Sequence, residues 1–347
     1  MAFASGRLLY IRDRSLIAQA FDPDQLSFTG PAVPVVGEEM VTDVGGFSQS
    51  GFSVSQNGVL VFQSVADSSS RLTWFDSTGK ELGEVPGLGY WEPRISADGR
   101  FLVASSDDAR DGKHFIRMYD LERDLSTRMT EGGSEESPTW SRDGKRITYV
   151  RREGKTYFMY EIVADGSGSP QVLVKGAKML HPDWSPDGHL VFLGFGTSRP
   201  HLSVYSSVDG QVSEFGPGAE PRFSPDGQWV AYTAASGYGE IIVQAFRGTG
   251  GRIQISNAGG SQPTWGHDGK QIFYVAPDKK LMAAAFDPEK TSAGVPRVLF
   301  QTRIVAPNFV GHQYDVAPDG RFLINSLPSK YASPLTLLTG WNAQPGR

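Results

Sequence analysis

A short phrase recurs seven times along this chain, and it constrains the fold more than any other feature. It reads Ser55-Gln56-Asn57-Gly58, Ser96-Ala97-Asp98-Gly99, Ser141-Arg142-Asp143-Gly144 and Ser185-Pro186-Asp187-Gly188, then Ser224-Pro225-Asp226-Gly227, Gly266-His267-Asp268-Gly269 and Ala317-Pro318-Asp319-Gly320. The closing glycines are 41, 45, 44, 39, 42 and 51 residues apart. A period of that length marks a repeat architecture in which each copy is one supersecondary unit. Pro presets φ for the second position of a type I turn, Asp tolerates the third, and Gly takes the left-handed position that follows. Such a turn joins two antiparallel strands. An apolar residue precedes every copy, Trp140, Trp184, Phe223 and Trp265 among them. Runs rich in β-formers follow, such as Arg146-Ile147-Thr148-Tyr149-Val150 and Gln271-Ile272-Phe273-Tyr274-Val275.

Each unit continues into a third strand, as in Arg71-Leu72-Thr73-Trp74-Phe75-Asp76 or Glu240 to Phe246, and a short fourth, as in Gln171-Val172-Leu173-Val174 or Arg252-Ile253-Gln254-Ile255. Four strands in roughly 40 to 45 residues is the pattern of a β-propeller blade. Long helices are excluded: no stretch holds a 3.6-residue apolar period free of breakers, and the 347 residues include 41 Gly and 22 Pro. The chain opens on a degenerate copy over residues 1–46, where Leu8-Leu9-Tyr10-Ile11 through Phe21-Asp22-Pro23 aligns with Ile272-Phe273-Tyr274-Val275 through Phe286-Asp287-Pro288. The expectation is an all-β chain forming one propeller domain over 1–347, built of four-stranded antiparallel blades. Eight blades in one ring are predicted, or seven if the N-terminal strands complete the last blade.

Composition narrows the chemistry. With 38 acidic and 33 basic residues and a net charge of −5, nothing favours nucleic acid or an anionic membrane as partner. The absence of Cys removes disulfides, thiolate metal sites and a Cys nucleophile. No apolar run approaches the roughly 18 residues of a membrane helix. The start, Met1-Ala2-Phe3-Ala4-Ser5-Gly6-Arg7, has neither the basic nor the apolar region of a signal peptide. A soluble chain without direct membrane insertion is expected. No Gly-x-Ser-x-Gly elbow supports nucleophilic hydrolysis.

In a propeller the first strands line the central channel, and the loops entering them ring one mouth. The position just before each first-strand Pro holds Glu92, Ser137, His181, Glu220 and Gln262, with Gln313 in the unit lacking the Pro. Two residues on come Arg94, Thr139, Asp183, Arg222, Thr264 and Asp315. These groups are polar, mixed in sign and convergent, as a pocket for a polar ligand requires. Trp91, beside Tyr90 in a Gly-rich entry loop, suits stacking on a peptide or glycan. The expected ligand-binding set at the channel mouth is Trp91, Glu92, Arg94, His181, Asp183, Glu220, Arg222, Gln262, Gln313 and Asp315. The plain alternative is that these groups satisfy one another and channel waters.

No catalytic residue and no cofactor are expected. The aspartates of the phrase, Asp98, Asp143, Asp187, Asp226, Asp268 and Asp319, serve turn geometry and stand too far apart to act as acid and base. A metal needs about three converging imidazoles, and only His181 and His312 fall on first strands. His189 and His201 share one unit and could approach across neighbouring strands. The acidic turns Asp22-Pro23-Asp24 and Asp107-Asp108 with Asp111 lack the spacing of an EF-hand calcium loop.

The repeat also carries a family resemblance. Ser-Pro-Asp-Gly after an aromatic, with Pro three residues before the phrase, appears in His181-Pro182-Asp183-Trp184-Ser185 and Glu220-Pro221-Arg222-Phe223-Ser224. Over essentially the whole chain this resembles the TolB-like propeller repeat. Further stretches are Leu72-Thr73-Trp74-Phe75-Asp76-Ser77-Thr78-Gly79-Lys80, Gly259-Gly260-Ser261-Gln262-Pro263, Leu281-Met282-Ala283 and the segment from Leu335 to Asn342. They resemble the C-terminal propeller of acidobacterial membrane-anchored serine/threonine kinases. That resemblance implies an extracytoplasmic, periplasmic propeller preceded in the natural protein by a kinase domain. The chain itself has no kinase Gly-rich loop, His-Arg-Asp or Asp-Phe-Gly, so a sensor or scaffold role is implied and not kinase activity. A more distant resemblance is to propeller lyases acting on pectin oligosaccharides, which hold a metal with three His and a Gln; Gln262 or Gln313 would be the Gln here. The expected function is noncatalytic recognition of a peptide, protein or glycan at the channel mouth. The alternative is a metal-assisted carbohydrate lyase or hydrolase working in the channel.

Overall fold

The recurring phrase folds as its chemistry dictates. All seven closing glycines have left-handed backbones, with φ between 68° and 84°. At the Gly144 copy, the Gly144 N–H donates to the Ser141 carbonyl at 2.9 Å. Asp143 Oδ1 accepts from Ser141 Oγ at 2.6 Å and from the Lys145 N–H at 3.1 Å. The aspartate thus ties the turn to the start of the next strand, an Asx arrangement that a longer side chain could not make. These bonds hold the Asp143 carboxyl below its ordinary range, the Ser141 hydroxyl being the largest cause.

A computed structural model describes residues 1–12, 15–35, 52–62, 70–87, 89–107, 113–131, 133–195, 200–234, 239–248, 251–304, 311–327 and 336–341. Asp108, Asp111, Leu335, Asn342 and the end of the degenerate N-terminal copy lie outside these residues. Among them every regular element is a strand, joined in antiparallel sheets. The chain divides into two compact units, Ser70–Ser326 and Met1–Ser69 with Leu327–Arg347.

The unit containing both termini holds two sheets. One runs through Ala2–Ala4, Arg7–Arg12, Ser15–Asp22 and Ser27–Pro34 in chain order. The other joins Phe52–Val54 and Val59–Phe62 to Thr336–Thr339. Leu9, Leu16, Leu60 and Phe62 form its core.

The Ser70–Ser326 unit holds six sheets. Their first strands are Tyr90–Ile95, Glu135–Trp140, Met179–Trp184, Ala219–Phe223, Ser261–Trp265 and Tyr314–Val316. Each packs beside the next in this order, and Tyr314–Val316 packs back on Tyr90–Ile95, so the six close a cycle. The ring of eight or seven blades expected from the repeat count is therefore corrected: six blades close in this unit, and the remaining two sheets belong to the other.

The difference traces to two strand exchanges. Arg71–Phe75, read from the sequence as the third strand after the Gly58 hairpin, pairs instead with Phe322–Ser326, in the register Arg71↔Ser326 to Phe75↔Phe322. The Gly58 hairpin takes Thr336–Thr339 as its third strand, with Thr336 opposite Phe62. A strand from the start of the ring thus completes the last blade, which leaves no open edge between first and last sheets. Both faces of each inner blade are covered, so strands such as Met179–Trp184 and Trp229–Thr233 are buried at every residue. Trp229, Ile241, Ile272 and Tyr274 pack between two neighbouring blades, as do Met159, Trp184, Leu190 and Phe192 between another two.

Candidate functional site

The channel chemistry begins with an irregularity in the first strands. Five of them carry Pro at their middle, at 93, 138, 182, 221 and 263. Pro has no N–H to give a ladder, so it is tolerated in a sheet mainly at an edge or a bulge. In all five blades the register with the second strand slips across that Pro. The residue before it, Glu92, Ser137, His181, Glu220 or Gln262, sits at φ between 51° and 57°. A left-handed non-glycine costs about 1 to 2 kcal/mol. The sixth blade has Gln313-Tyr314 in place of the X-Pro pair and shows no such residue. The X-Pro step therefore builds a bulge that re-aims one polar side chain per blade.

These side chains form a buried inner layer that links blade to blade. Glu92 accepts from the Ser137 N–H at 2.7 Å and from Ser137 Oγ at 2.9 Å. Glu220 accepts from the Gln262 N–H and from Thr233 Oγ1, both at 2.8 Å. Gln262 Oε1 accepts from the Gln313 N–H at 2.8 Å. His181 Nε2 lies 3.4 Å from Glu92 Oε1. Burial pushes the Glu92 carboxyl up, but the His181 imidazolium and the Ser137 donors outweigh it and hold it below its ordinary value. Burial likewise disfavours charge on His181, yet Glu92 first, then Glu220 and Glu136, raise it. Glu220, facing a weaker set of partners, is raised by its burial.

The second row, two residues on, opens into a cavity of about 400 Å3. Arg94, Thr139, Asp183, Arg222, Thr264 and Asp315 line it, one from each blade. Its rim is formed by the turn phrases themselves, through Ala97, Arg142, Pro186, Pro225, His267 and Pro318. The open end is thus the side of the first-to-second-strand hairpins. Asp183 Oδ1 accepts from Arg94 Nη2, and its Oδ2 accepts from the Phe223 N–H at 2.8 Å. Arg142 Nη2 and Arg222 Nη1 each stand 3.8 Å from an Asp183 oxygen. Asp315 Oδ2 accepts from the Ile95 N–H at 2.7 Å, and burial raises its carboxyl despite Arg94 nearby.

The structure separates the expected ligand set into three groups. Arg94, Asp183, Arg222 and Asp315 share the cavity. Glu92, His181, Glu220, Gln262 and Gln313 lie in the deeper layer and are buried. Trp91 joins neither. It is part of the strand Tyr90–Ile95 and packs its ring 5.1 Å from that of His114, because strand alternation turns it away from its neighbour Glu92. Arg142 and His267 were missed by the sequence reading, although a signal was present. They are the two charged or titratable residues at the second position of the phrase, where Pro, Ala or Gln otherwise stands.

Among the described residues no three His, Asp or Glu side chains are grouped to hold a metal ion. The His181 and His312 rings are 6.1 Å apart, and His312 Nε2 is 3.2 Å from the Pro263 carbonyl. That bond requires Nε2 to carry the proton, and burial holds His312 well below its ordinary value. His189 and His201 do not meet: they lie opposite Ser206 and Gly194 in the strand pair they share. Asp22 is used in its own turn, accepting from the Asp24 N–H at 2.9 Å.

Comparison with known proteins gives the fold a relation. No family model matches the chain. A Tol-Pal system protein TolB from Azoarcus sp. is 29% identical over 150 residues, which are 37% of this chain and 35% of that protein. The chain thus spans about a third of the length of that curated relative. Among solved structures, a putative TolB from Agrobacterium tumefaciens superposes with a TM-score of 0.59 at 18% identity, covering 74% of this chain and 97% of that one. An oligogalacturonate lyase from Vibrio parahaemolyticus gives 0.50 at 14% identity, covering 81% and 97%. The chain is a TolB-like β-propeller in fold.

Proposed function

We propose that the chain is a noncatalytic binding module whose ring captures a segment of a peptide or protein in the cavity on its hairpin side. One observation carries this reading. Six equivalent positions, one per blade, converge on a single cavity that has charged groups on its floor and Trp140, Phe223, Trp265 and three prolines around them. Mixed polar anchors with aromatic and proline walls suit an extended peptide, whose backbone needs donors and acceptors and whose side chains need apolar contact. The match to a Tol-Pal system protein supports a protein partner and an extracytoplasmic, envelope setting. The lyase alternative draws on the fold likeness alone.

The test is selection of random displayed peptides on the protein, followed by calorimetry of the selected sequences against parent and Ala97→Trp protein. Ala97 is an exposed rim residue, so an indole there fills the entrance without touching the core. Micromolar peptides that lose about a hundredfold in affinity to Ala97→Trp, a difference of about 2.7 kcal/mol, support the proposal. Equal binding by both proteins overturns it.

A further inference from the structure

Arg222 is a buried cation short of partners. Its side chain is 6% exposed and projects from Ala219–Phe223 toward both the wide cavity and the narrow space beneath it. Its Nε has no hydrogen-bond partner. The Asp183 oxygen facing it is 3.8 Å away, beyond hydrogen-bond reach. Nor can Asp183 be expected to turn: one oxygen is bonded to Arg94 and the other to the Phe223 N–H. The other carboxylate in the cavity, Asp315, is bonded to the Ile95 N–H. Leaving a buried guanidinium nitrogen without an acceptor is costly, so such a group invites an acceptor from a ligand.

The charge count says what is missing. Among the groups lining the wide cavity, Arg94, Arg142 and Arg222 face two carboxylates, Asp183 and Asp315, a local surplus of one positive charge, while in the narrow space beneath Glu92 is matched by His181. We infer that this surplus is the anchor for one carboxylate of the captured peptide, its C-terminus or an Asp or Glu side chain, taken by Arg222 with Arg142 at the rim. A guanidinium presents parallel N–H groups that match a carboxylate in the same plane. A single negative charge balances the cavity, whereas a phosphate dianion would overcompensate it. Phe223, Trp265 and Pro225 beside the arginine supply the apolar wall a peptide chain needs and a free inorganic anion does not. The inference rests on the peptide-binding reading and adds the chemistry the site selects.

The experiment titrates acetyl-trialanine with a free C-terminus, the same peptide as its amide, and acetyl-dialanyl-glutamate amide, following the fluorescence of Trp140 and Trp265. Trigalacturonate is the control for a carboxylate from another source. The carboxylate peptides should bind about tenfold or more tightly than the neutral amide. Arg222→Met should erase that preference and raise the melting temperature, because it removes a buried charge whose Nε has no acceptor. Arg222→Lys, which keeps the charge and loses the fork, should retain part of the preference. Equal binding of acid and amide, both blocked by Ala97→Trp, would overturn the carboxylate anchor and leave the peptide reading standing. Binding of trigalacturonate with no binding of any peptide would overturn both. A preference that survives Arg222→Met would remove Arg222 from the role.

Discussion

Arg94 and Asp183 stand 89 residues apart in sequence, on first strands two blades removed, and meet as an ion pair across the channel. Thr139, on the blade between, also accepts from the same Arg94 nitrogen, at 3.0 Å. Three blades are thereby joined through one guanidinium, with side-chain exposures of 12% and 7% for the ion-paired residues. The same aspartate faces Arg142 and Arg222, so it is the hub of the cavity floor.

Asp183→Asn keeps an acceptor for the Phe223 N–H but removes the charge that three arginines share. Breaking a buried pair on one side leaves uncompensated charge. Urea denaturation should show a loss of about 2 to 4 kcal/mol. A change within about 0.5 kcal/mol would mean that the arginines find solvent instead.

The turn glycines separate backbone strain from crowding. At Gly144 an added Cβ meets nothing within 4 Å, so Gly144→Ala should cost about 1 kcal/mol, the left-handed penalty alone. At Gly227 the same atom would lie 2.6 Å from Pro186 Cδ in the neighbouring blade's turn. Gly227→Ala should therefore cost clearly more, about 2 to 4 kcal/mol. Equal losses would show that the turns are not packed against each other.

Glu136 makes stability depend on pH. Its carboxyl is pushed up to about 7, by burial first and then by Glu92. A raised carboxyl binds its proton more tightly in the folded state, so its contribution weakens stability as pH rises from about 4.5 to 7. Glu136→Gln should remove that slope and raise stability at pH 8 by on the order of 1 kcal/mol. An unchanged profile between pH 4.5 and 7 would contradict the assignment.

His181 titrates above its ordinary 6.5 because Glu92, and behind it Glu220 and Glu136, overcome the cost of burial. Its share of stability is complete below about pH 6.5 and is lost as pH rises through the folded value. Glu92→Gln should lower the His181 titration midpoint in NMR of the ring protons. A midpoint that stays put would place the His181 partner elsewhere.

Ring closure by Arg71–Phe75 on Phe322–Ser326 lies wholly within residues 70–326. A protein of those residues alone should unfold cooperatively and keep the β-rich circular dichroism of the parent. Loss of cooperative unfolding would show that the six blades need the other unit.

The blade and its turn were legible in the sequence because they are local. Ser-Pro-Asp-Gly sets its own dihedrals and hydrogen bonds within five residues, and seven copies make the repeat unmistakable. The convergence of Arg94, Asp183, Arg222 and Asp315 was legible for the same reason, since equivalent positions of a ring face one axis. Which third strand closes which sheet was not, because Arg71–Phe75 fits a blade equally well in either pairing and only the closed cycle decides. The two depths of the channel were also hidden. They depend on five X-Pro bulges, three of which turn Glu92, Glu220 and Gln262 to the backbone N–H of the next blade, while the row beyond remains open. Arg142 reaches the cavity only because neighbouring turns pack side by side around the ring. Local chemistry determined the units; the geometry of closure decided their number, their partners and which polar groups were left for a ligand.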